Sequence, residues 1–374
     1  MSLTFTDLLT LMSEHNASDL FIAAGAQVLI KADGTLKPLT KEVIKPDFAR
    51  KLVLDTMNDK QRLEFEGTNE CNFALSLTGT GRFRVSAYIQ RNTPAMVIRK
   101  INTYIPTMDE LKLPAVLKKI CMSKNGLVLF VGGTSTGKST SLASMIDYRN
   151  TNHRGHIITI EDPIEYIHHH KQSIVSQREV GVDTHSYEIA LKNTLRQTPD
   201  VILMGEIRDA ETMKYALSFA ETGHLCMATL HANNANQALD RIISFFGPDH
   251  HNQIWMDLSL NMRAIIAQQL LPTVDGKGRR AAIEVLLNTP LIQDLVRKGD
   301  ASSLKEVMEK SKNLGMQTFD QSLFDLYKEG VITLENALRY ADSENNLRLM
   351  IKLDKDNSKP DDSAGQKFTL LMDN

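Results

Sequence analysis

The sequence predicts an α/β chain in which a small α+β domain precedes a larger domain built on a buried parallel sheet flanked by helices. Three observations predict it. From Gly126 onward, short apolar runs alternate with helix-length segments. Before that point, strand-like runs broken by turns outnumber helices. A glycine-rich loop sequence, Gly132 to Ser139, stands between one apolar run and a helix-forming stretch. A length of 374 residues also exceeds what one core usually serves, which favours two domains.

Taken in order, Leu8, Leu9, Leu11 and Met12 share one face of an expected helix between Leu3 and His15. The runs beginning at Asp19 and Gln27 read as strands, and Asp33-Gly34 is a two-residue hairpin signal because Gly tolerates positive φ. A helical stretch is expected from Asp47 to Glu66, then strands over Asn72–Leu77, Arg82–Gln90 and Ala95–Ile101. Tyr104 to Pro114 carries two prolines and reads as a linker. The later runs Leu127–Val131, Ile157–Ile160, Val201–Met204 and Leu225–Leu230 are apolar throughout, as strands buried on both faces must be. After Leu286 the pattern is helical again, including Gln317–Lys328 and Leu334–Tyr340. The expected domains are therefore 1–103, a linker 104–115, a larger domain 116–353 with helical carboxyl-terminal elements, and a polar, disordered tail 354–374.

Composition narrows the function. The net charge of −2, one Trp and 6% aromatic residues give no global footprint for nucleic acid, which is not an expected partner. Cys71, Cys121 and Cys226 lie far apart and form neither a disulfide framework nor a CxxC zinc pair, so buried, reduced thiols are expected. Residues 1–16 lack the basic start and apolar core of a signal peptide, and no apolar run approaches the ~20 residues of a membrane span. A cytoplasmic protein without direct membrane insertion follows, any membrane association going through a partner.

Gly132-Gly133-Thr134-Ser135-Thr136-Gly137-Lys138-Ser139 is a full GxxxxGK[ST] match after a strand and before a helix. In such a loop backbone N–H groups cradle phosphates, Lys138 reaches the β- and γ-phosphates of ATP, and the Ser139 hydroxyl ligates Mg²⁺. A second acidic group must hold the metal or polarise water, and Glu206 ends the apolar run Val201–Met204-Gly205. Another strand ends in Glu161-Asp162-Pro163-Ile164-Glu165, bringing further carboxylates to the edge of the sheet where ligands bind in open α/β folds. Spacing alone does not say which of them orients water. His224 and His231 bracket one strand at opposite ends and on opposite faces, so they do not act together; His231 could contact a γ-phosphate or be structural. His168-His169-His170 alternates faces and lacks a matching cluster, which disfavours a metal. Arg82, Arg84 and Arg99 read first as a solvated strand face; a catalytic role requires an oligomer in which one subunit's arginine neutralises phosphate charge in its neighbour's site.

Together these motifs resemble the secretion-type ATPase superfamily, and within it the PilT/PilU retraction ATPases of type IV pili. The resemblance runs from Ala17 to about Lys352: Gly132–Thr140 matches the Walker A box, Ile158–Glu165 the Asp box, Met204–Asp209 the Walker B box, and Ala220–His231 the His box. It implies a PAS-like amino-terminal domain joined to a RecA-like ATPase domain, assembled as a homo-hexamer with nucleotide sites between subunits. It also implies Glu165 as the water-activating base, Glu206 as the Walker B carboxylate at Mg²⁺, and His231 as the His-box residue nearest the γ-phosphate. Arg82, Arg84 and Arg99 match arginines that approach phosphates, and His224 is structural or interdomain.

Three departures from the family pattern stand out. The loop commonly reads GPTGSGKST, whereas Gly133 and Ser135 stand here for its proline and second glycine, and Ser135 is strained wherever Gly would use φ > 0. The stretch usually written AIRNLIREGK is Leu291–Asp300 here. The polar stretch after Lys352 resembles the PilU side of the family. The implied function is an ATP-hydrolysing motor for pilus retraction, accessory to a PilT paralogue and docked on the inner-membrane platform protein. The alternatives are a stand-alone retraction motor, a non-hydrolysing structural subunit and a nucleic-acid motor.

Overall fold

The computed structural model describes residues 4–32 and 34–357. The amino-terminal part contains helix α1 (Phe5–Glu14), strands β1 (Asp19–Ile22), β2 (Leu29–Ala32) and β3 (Thr35–Pro38), helices α2 (Pro46–Asp55) and α3 (Asp59–Thr68), and strands β4 (Glu70–Leu77), β5 (Gly81–Gln90) and β6 (Thr93–Lys100). A reciprocal cap starts α1: Asp7 N–H donates to Thr4 Oγ1 and the Thr4 N–H to the Asp7 carboxylate. The six strands form one antiparallel sheet ordered β3-β2-β1-β6-β5-β4. The expected hairpin forms, with Ala32 paired to Thr35. Along β5 the two-residue period sends Phe83, Val85 and Ala87 into the core and leaves Arg82 and Arg84 together on the other face.

The single helical stretch expected over Asp47–Glu66 is two helices. Asn58 accepts from Gln61 N–H while its own N–H donates to the Gln61 side chain, so a new helix begins where the periodicity runs on.

The carboxyl-terminal part contains α4 (Val116–Cys121), β7 (Gly126–Val131), α5 (Lys138–Asn152), β8 (His156–Glu161), β9 (Ile174–Glu179), α6 (Tyr187–Thr194), β10 (Val201–Met204), α7 (Ala210–Glu221), β11 (Leu225–Leu230) and α8 (Ala235–Ser244). There follow α9 (His251–Asn261), β12 (Met262–Pro272), β13 (Arg279–Leu287), α10 (Pro290–Arg297), α11 (Leu304–Lys310), α12 (Phe319–Lys328), α13 (Leu334–Arg339) and α14 (Glu344–Asn357). Seven strands make one sheet, β13-β12-β7-β11-β10-β8-β9. As expected, β7, β10 and β11 are buried at every position. Strands β9, β8, β10 and β11 run parallel.

The sheet is mixed, not wholly parallel, because β12 and β13 form an antiparallel hairpin. The sequence reading placed no strand there: β12 is buried almost without alternation, so periodicity does not separate it from a buried helix. Strand β9 also lacked a signal, since Ser176, Gln177, Arg178 and Glu179 are polar. The expected tail is corrected at its start. Helix α14 continues to Asn357, carrying the amphipathic pattern through Leu353, and the rest of 354–374 lies outside the described residues.

By compactness the chain divides into two units. One holds Met1–Lys112, Leu117–Val128 and Ser139–Thr229; the other holds Leu113–Val116, Leu129–Lys138 and the chain from Leu230 onward. Strands β1–β6 all lie inside the 1–103 segment expected as a domain. Among the described residues no helix is long and apolar enough to cross a membrane.

Candidate active site

The phosphate loop is built by backbone geometry. Strand β7 ends at Val131 and α5 begins at Lys138. Between them Gly132 and Gly137 adopt φ of +154° and +86°. A Cβ at Gly132 would stand 2.6 Å from the Gln268 carbonyl oxygen, and one at Gly137 would stand 2.8 Å from Gln268 Nε2. At Gly132 the backbone itself excludes a side chain; at Gly137 a side chain would have to displace the Gln268 amide and would be strained at that φ. Thr136 Oγ1 donates to the Gly133 carbonyl at 3.0 Å, and Lys138 Nζ donates to the Gly132 and Gly133 carbonyls at 2.8 and 2.6 Å. The lysine is thus folded back onto its own loop. Thr134 and Ser135 are exposed at the loop tip. Ser135 takes φ of +63°, the left-handed region in which a serine is strained and a glycine would not be.

Ser139 and Thr140 occupy the first turn of α5. Thr140 Oγ1 lies 2.8 Å from Tyr166 Oη, and Tyr166 bridges to Asn102, whose carbonyl accepts from Ile167 N–H at 3.0 Å. A connection therefore runs from the end of the amino-terminal sheet to the helix that follows the loop.

The carboxylates that follow β8 and β10 are held by side chains. Glu161, the last residue of β8, accepts from Thr159 Oγ1 at 2.6 Å and Gln177 Nε2 at 3.2 Å. Burial pushes its carboxyl upward, against those two hydrogen bonds. Gln177 also donates to the Tyr166 carbonyl at 2.8 Å and accepts from His168 N–H at 2.8 Å, so one amide on β9 ties three points of the 161–168 segment. Glu165 itself is exposed. Glu206 follows β10 and accepts from Arg208 Nε at 2.8 Å, while Arg208 also meets Asp162 at 3.4 Å. Tyr187 Oη joins the ends of the two strands, donating to the Ile160 carbonyl at 3.0 Å and accepting from Glu206 N–H at 3.2 Å. Gly205 makes the close approach possible: a Cβ there would stand 3.2 Å from Glu161 Cα.

The histidines separate as their spacing predicts. His224 precedes β11, its Nδ1 at 3.1 Å from Thr222 Oγ1 and 3.2 Å from the Phe219 carbonyl, bonds that close the α7–β11 turn. His231 follows the strand's other end and is exposed. His168 is buried, which holds its imidazole down at about 4, and His170 Nδ1 accepts from Val175 N–H at 3.1 Å. Among the described residues no group of three or more His, Cys, Asp or Glu side chains is arranged to hold a metal. All three cysteines are free and buried, and burial raises the Cys71 and Cys121 thiols to about 11 and 12.

The structure groups Glu206 with Arg208 and Asp162, whereas Arg84 and Arg99 have acidic partners of their own. Arg99 Nε meets Asp19 Oδ1 at 2.7 Å, and Asp19 is buried. Arg84 Nε lies 3.7 Å from Glu179, whose carboxyl is raised by burial against the opposing charges of Arg84 and Arg82. Sequence reasoning missed Gln177, Tyr187, Arg208 and Gln268. For Gln268 the available signal was the polar pair Gln268-Gln269 inside an otherwise apolar run; Gln177, Tyr187 and Arg208 lie outside apolar runs and left none.

A phosphate loop on the first strand of a mixed α/β sheet, with carboxylates ending two other strands, defines a P-loop ATPase. Residues 3–339 match the family described as Type II/IV secretion system protein. The chain is 60% identical over 97% of its length, and 99% of the relative's, to the type IV pilus ATPase PilU of Pseudomonas aeruginosa. It is 40% identical to the type IV pilus retraction ATPase PilT of the same organism, over 89% of this chain and 96% of that one. The crystal structure of the pilus retraction motor PilT with bound ADP superposes with a TM-score of 0.86 at 40% identity, covering 93% of this chain and all of that one. The chain belongs to the type II/IV secretion system protein family, within its PilT/PilU branch, and is a nucleotide-binding ATPase.

Proposed function

We propose that this chain hydrolyses ATP as one subunit of a cytoplasmic homo-hexamer that drives retraction of a type IV pilus, acting with a PilT paralogue at the inner-membrane platform protein. The observation that carries the reading is the near full-length similarity to PilU, stronger than that to PilT, around an intact phosphate loop. Backbone amides of Gly132–Thr140 hold the phosphates, and Lys138 exchanges its two loop carbonyls for phosphate oxygens. Ser139 and Glu206 would hold Mg²⁺, which supplies charge neutralisation on the β- and γ-phosphates. A hydroxyl and a carboxylate suit this ion, which keeps several waters and takes phosphate oxygens as its remaining ligands.

Glu206 must then leave Arg208, whose pairing with both Glu206 and Asp162 neutralises the acidic cluster meanwhile. Glu165 receives the proton of the attacking water, its exposure giving it access to solvent. His231 contacts the γ-phosphate. Arg82, Arg84 and Arg99 act on the neighbouring subunit's nucleotide, Arg84 and Arg99 exchanging Glu179 and Asp19 for phosphate.

The test is steady-state phosphate release by the purified chain, alone and with a PilT paralogue, beside Glu206→Ala. Turnover that Glu206→Ala abolishes supports the motor. Bound ATP with no turnover under either condition would overturn it. Pilus retraction without the paralogue would overturn the accessory role alone.

A further inference from the structure

Gln268 is a buried amide in an apolar strand. Its neighbours Ile265, Ile266, Ala267 and Leu271 are fully buried, and Gln268 itself is 2% exposed. A primary amide in such surroundings is destabilising unless hydrogen-bonded. Here Nε2 donates to the Thr136 carbonyl at 2.8 Å. Strand β12 neighbours β7, the strand that launches the phosphate loop, so this one residue lies along the loop. Its carbonyl oxygen faces Gly132 and its side-chain nitrogen faces Gly137, at the two places where a Cβ would collide.

A trans peptide is planar, with its C=O and the following N–H pointing in opposite directions. A carbonyl tied to the Gln268 side chain therefore turns the Gly137 N–H away from that side chain. Glycine at φ of +86° offers little resistance to rotation of that peptide, and the flipped peptide would aim a carbonyl dipole at the phosphates instead of a donor.

We infer that Gln268 is a positioning residue for nucleotide binding: by holding the Thr136 carbonyl it keeps the Gly137 amide directed at the phosphates, without touching the nucleotide. The inference rests on the reading of this loop as the nucleotide site. It acts on the bound ground state as much as on the transition state, so it changes affinity and KM more than kcat.

The experiment measures ADP binding and steady-state phosphate release by the full chain carrying Gln268→Met, which fills the volume without a donor, or Gln268→Glu. Lys138→Ala serves as control. At pH 8 both Gln268 variants should weaken ADP binding ~10-fold and raise KM in parallel, with the melting midpoint of the Met variant in the absence of nucleotide close to the wild type. At pH 6 the Glu variant should recover relative to the wild type at the same pH. A buried carboxyl protonates readily and then donates to the Thr136 carbonyl; the Met variant has no such recovery.

ADP affinity within about twofold of the wild type in both variants, or a fall in kcat alone, overturns the inference. Should the Met variant melt far below the wild type, the Glu variant decides, and absence of recovery at pH 6 overturns it. Failure of the wild type to bind ADP, or tight binding by Lys138→Ala, would instead remove the nucleotide reading beneath it.

Discussion

The phosphate loop and the Asp-box segment are both irregular stretches at the ends of sheet strands, yet they are held in different ways. In the loop the constraint is backbone conformation: Gly132 and Gly137 occupy φ values that disfavour a side chain and sit against Gln268, whose uncharged amide reaches the loop from a distant strand. In the 161–168 segment the constraint is a set of side chains reaching across from Gln177, Tyr187 and Thr140, around a buried histidine and an upshifted carboxyl. The first arrangement rests chiefly on glycine conformations local in sequence, with one long-range tie from an uncharged amide. The second is non-local and contains titratable groups.

The contrast can be broken most severely at Gly137. Gly137→Ala forces a Cβ against Gln268 Nε2 and Leu270 Cδ1 at a φ that disfavours side chains. ADP binding should weaken by at least ~100-fold, the left-handed backbone alone accounting for roughly 1–2 kcal/mol. Titration of the variant with ADP checks this, and near-native affinity would remove the claim that the loop is held by its glycines.

On the other side, Gln177→Ala unties Glu161, Tyr166 and His168 together. Loss of several buried hydrogen bonds should reduce stability by roughly 2–3 kcal/mol and slow turnover. Because Gln177 lies outside the phosphate loop, ADP affinity should change little. Urea unfolding and ADP titration on the same preparation separate the two effects.

The pH response sharpens the comparison further. His168 titrates at about 4 in the folded chain against 6.5 ordinarily, because burial disfavours the imidazolium. Between those values the unfolded chain binds the extra proton. This histidine's share of stability is therefore complete above 6.5 and is lost as pH falls toward 4. From pH 7.5 to pH 5 the wild type should lose about 2 kcal/mol through this group, a slope that His168→Gln flattens in urea denaturation measured at both values. Equal slopes in the two proteins would contradict the assignment.

The smallest effect belongs to Ser135. Ser135→Gly relieves a left-handed serine at an exposed position, which should stabilise the loop by about 1 kcal/mol and raise turnover modestly. Hydrolysis unchanged by the substitution would show that the strained serine does not limit the rate.

The sequence by itself determined the phosphate loop, the carboxylates at the ends of β8 and β10, the apolar strands of the ATPase sheet and the hairpin at Ala32–Thr35. Each depends on a local rule: a glycine where φ is positive, a run buried on both faces, a turn of fixed length. Tertiary structure alone decided that Asn58 splits one helical stretch into two helices, that β12 and β13 close the sheet as an antiparallel hairpin, and that β9 joins its far edge. It also decided that Arg84 and Arg99 meet Glu179 and Asp19, that Arg208 covers Glu206, and that two glutamines, Gln177 and Gln268, tie the two loops. The physical reason is range. Backbone propensity and burial act on neighbouring residues and leave a period or a motif, whereas a hydrogen bond between residues far apart in the chain leaves only a polar residue where an apolar one would fit.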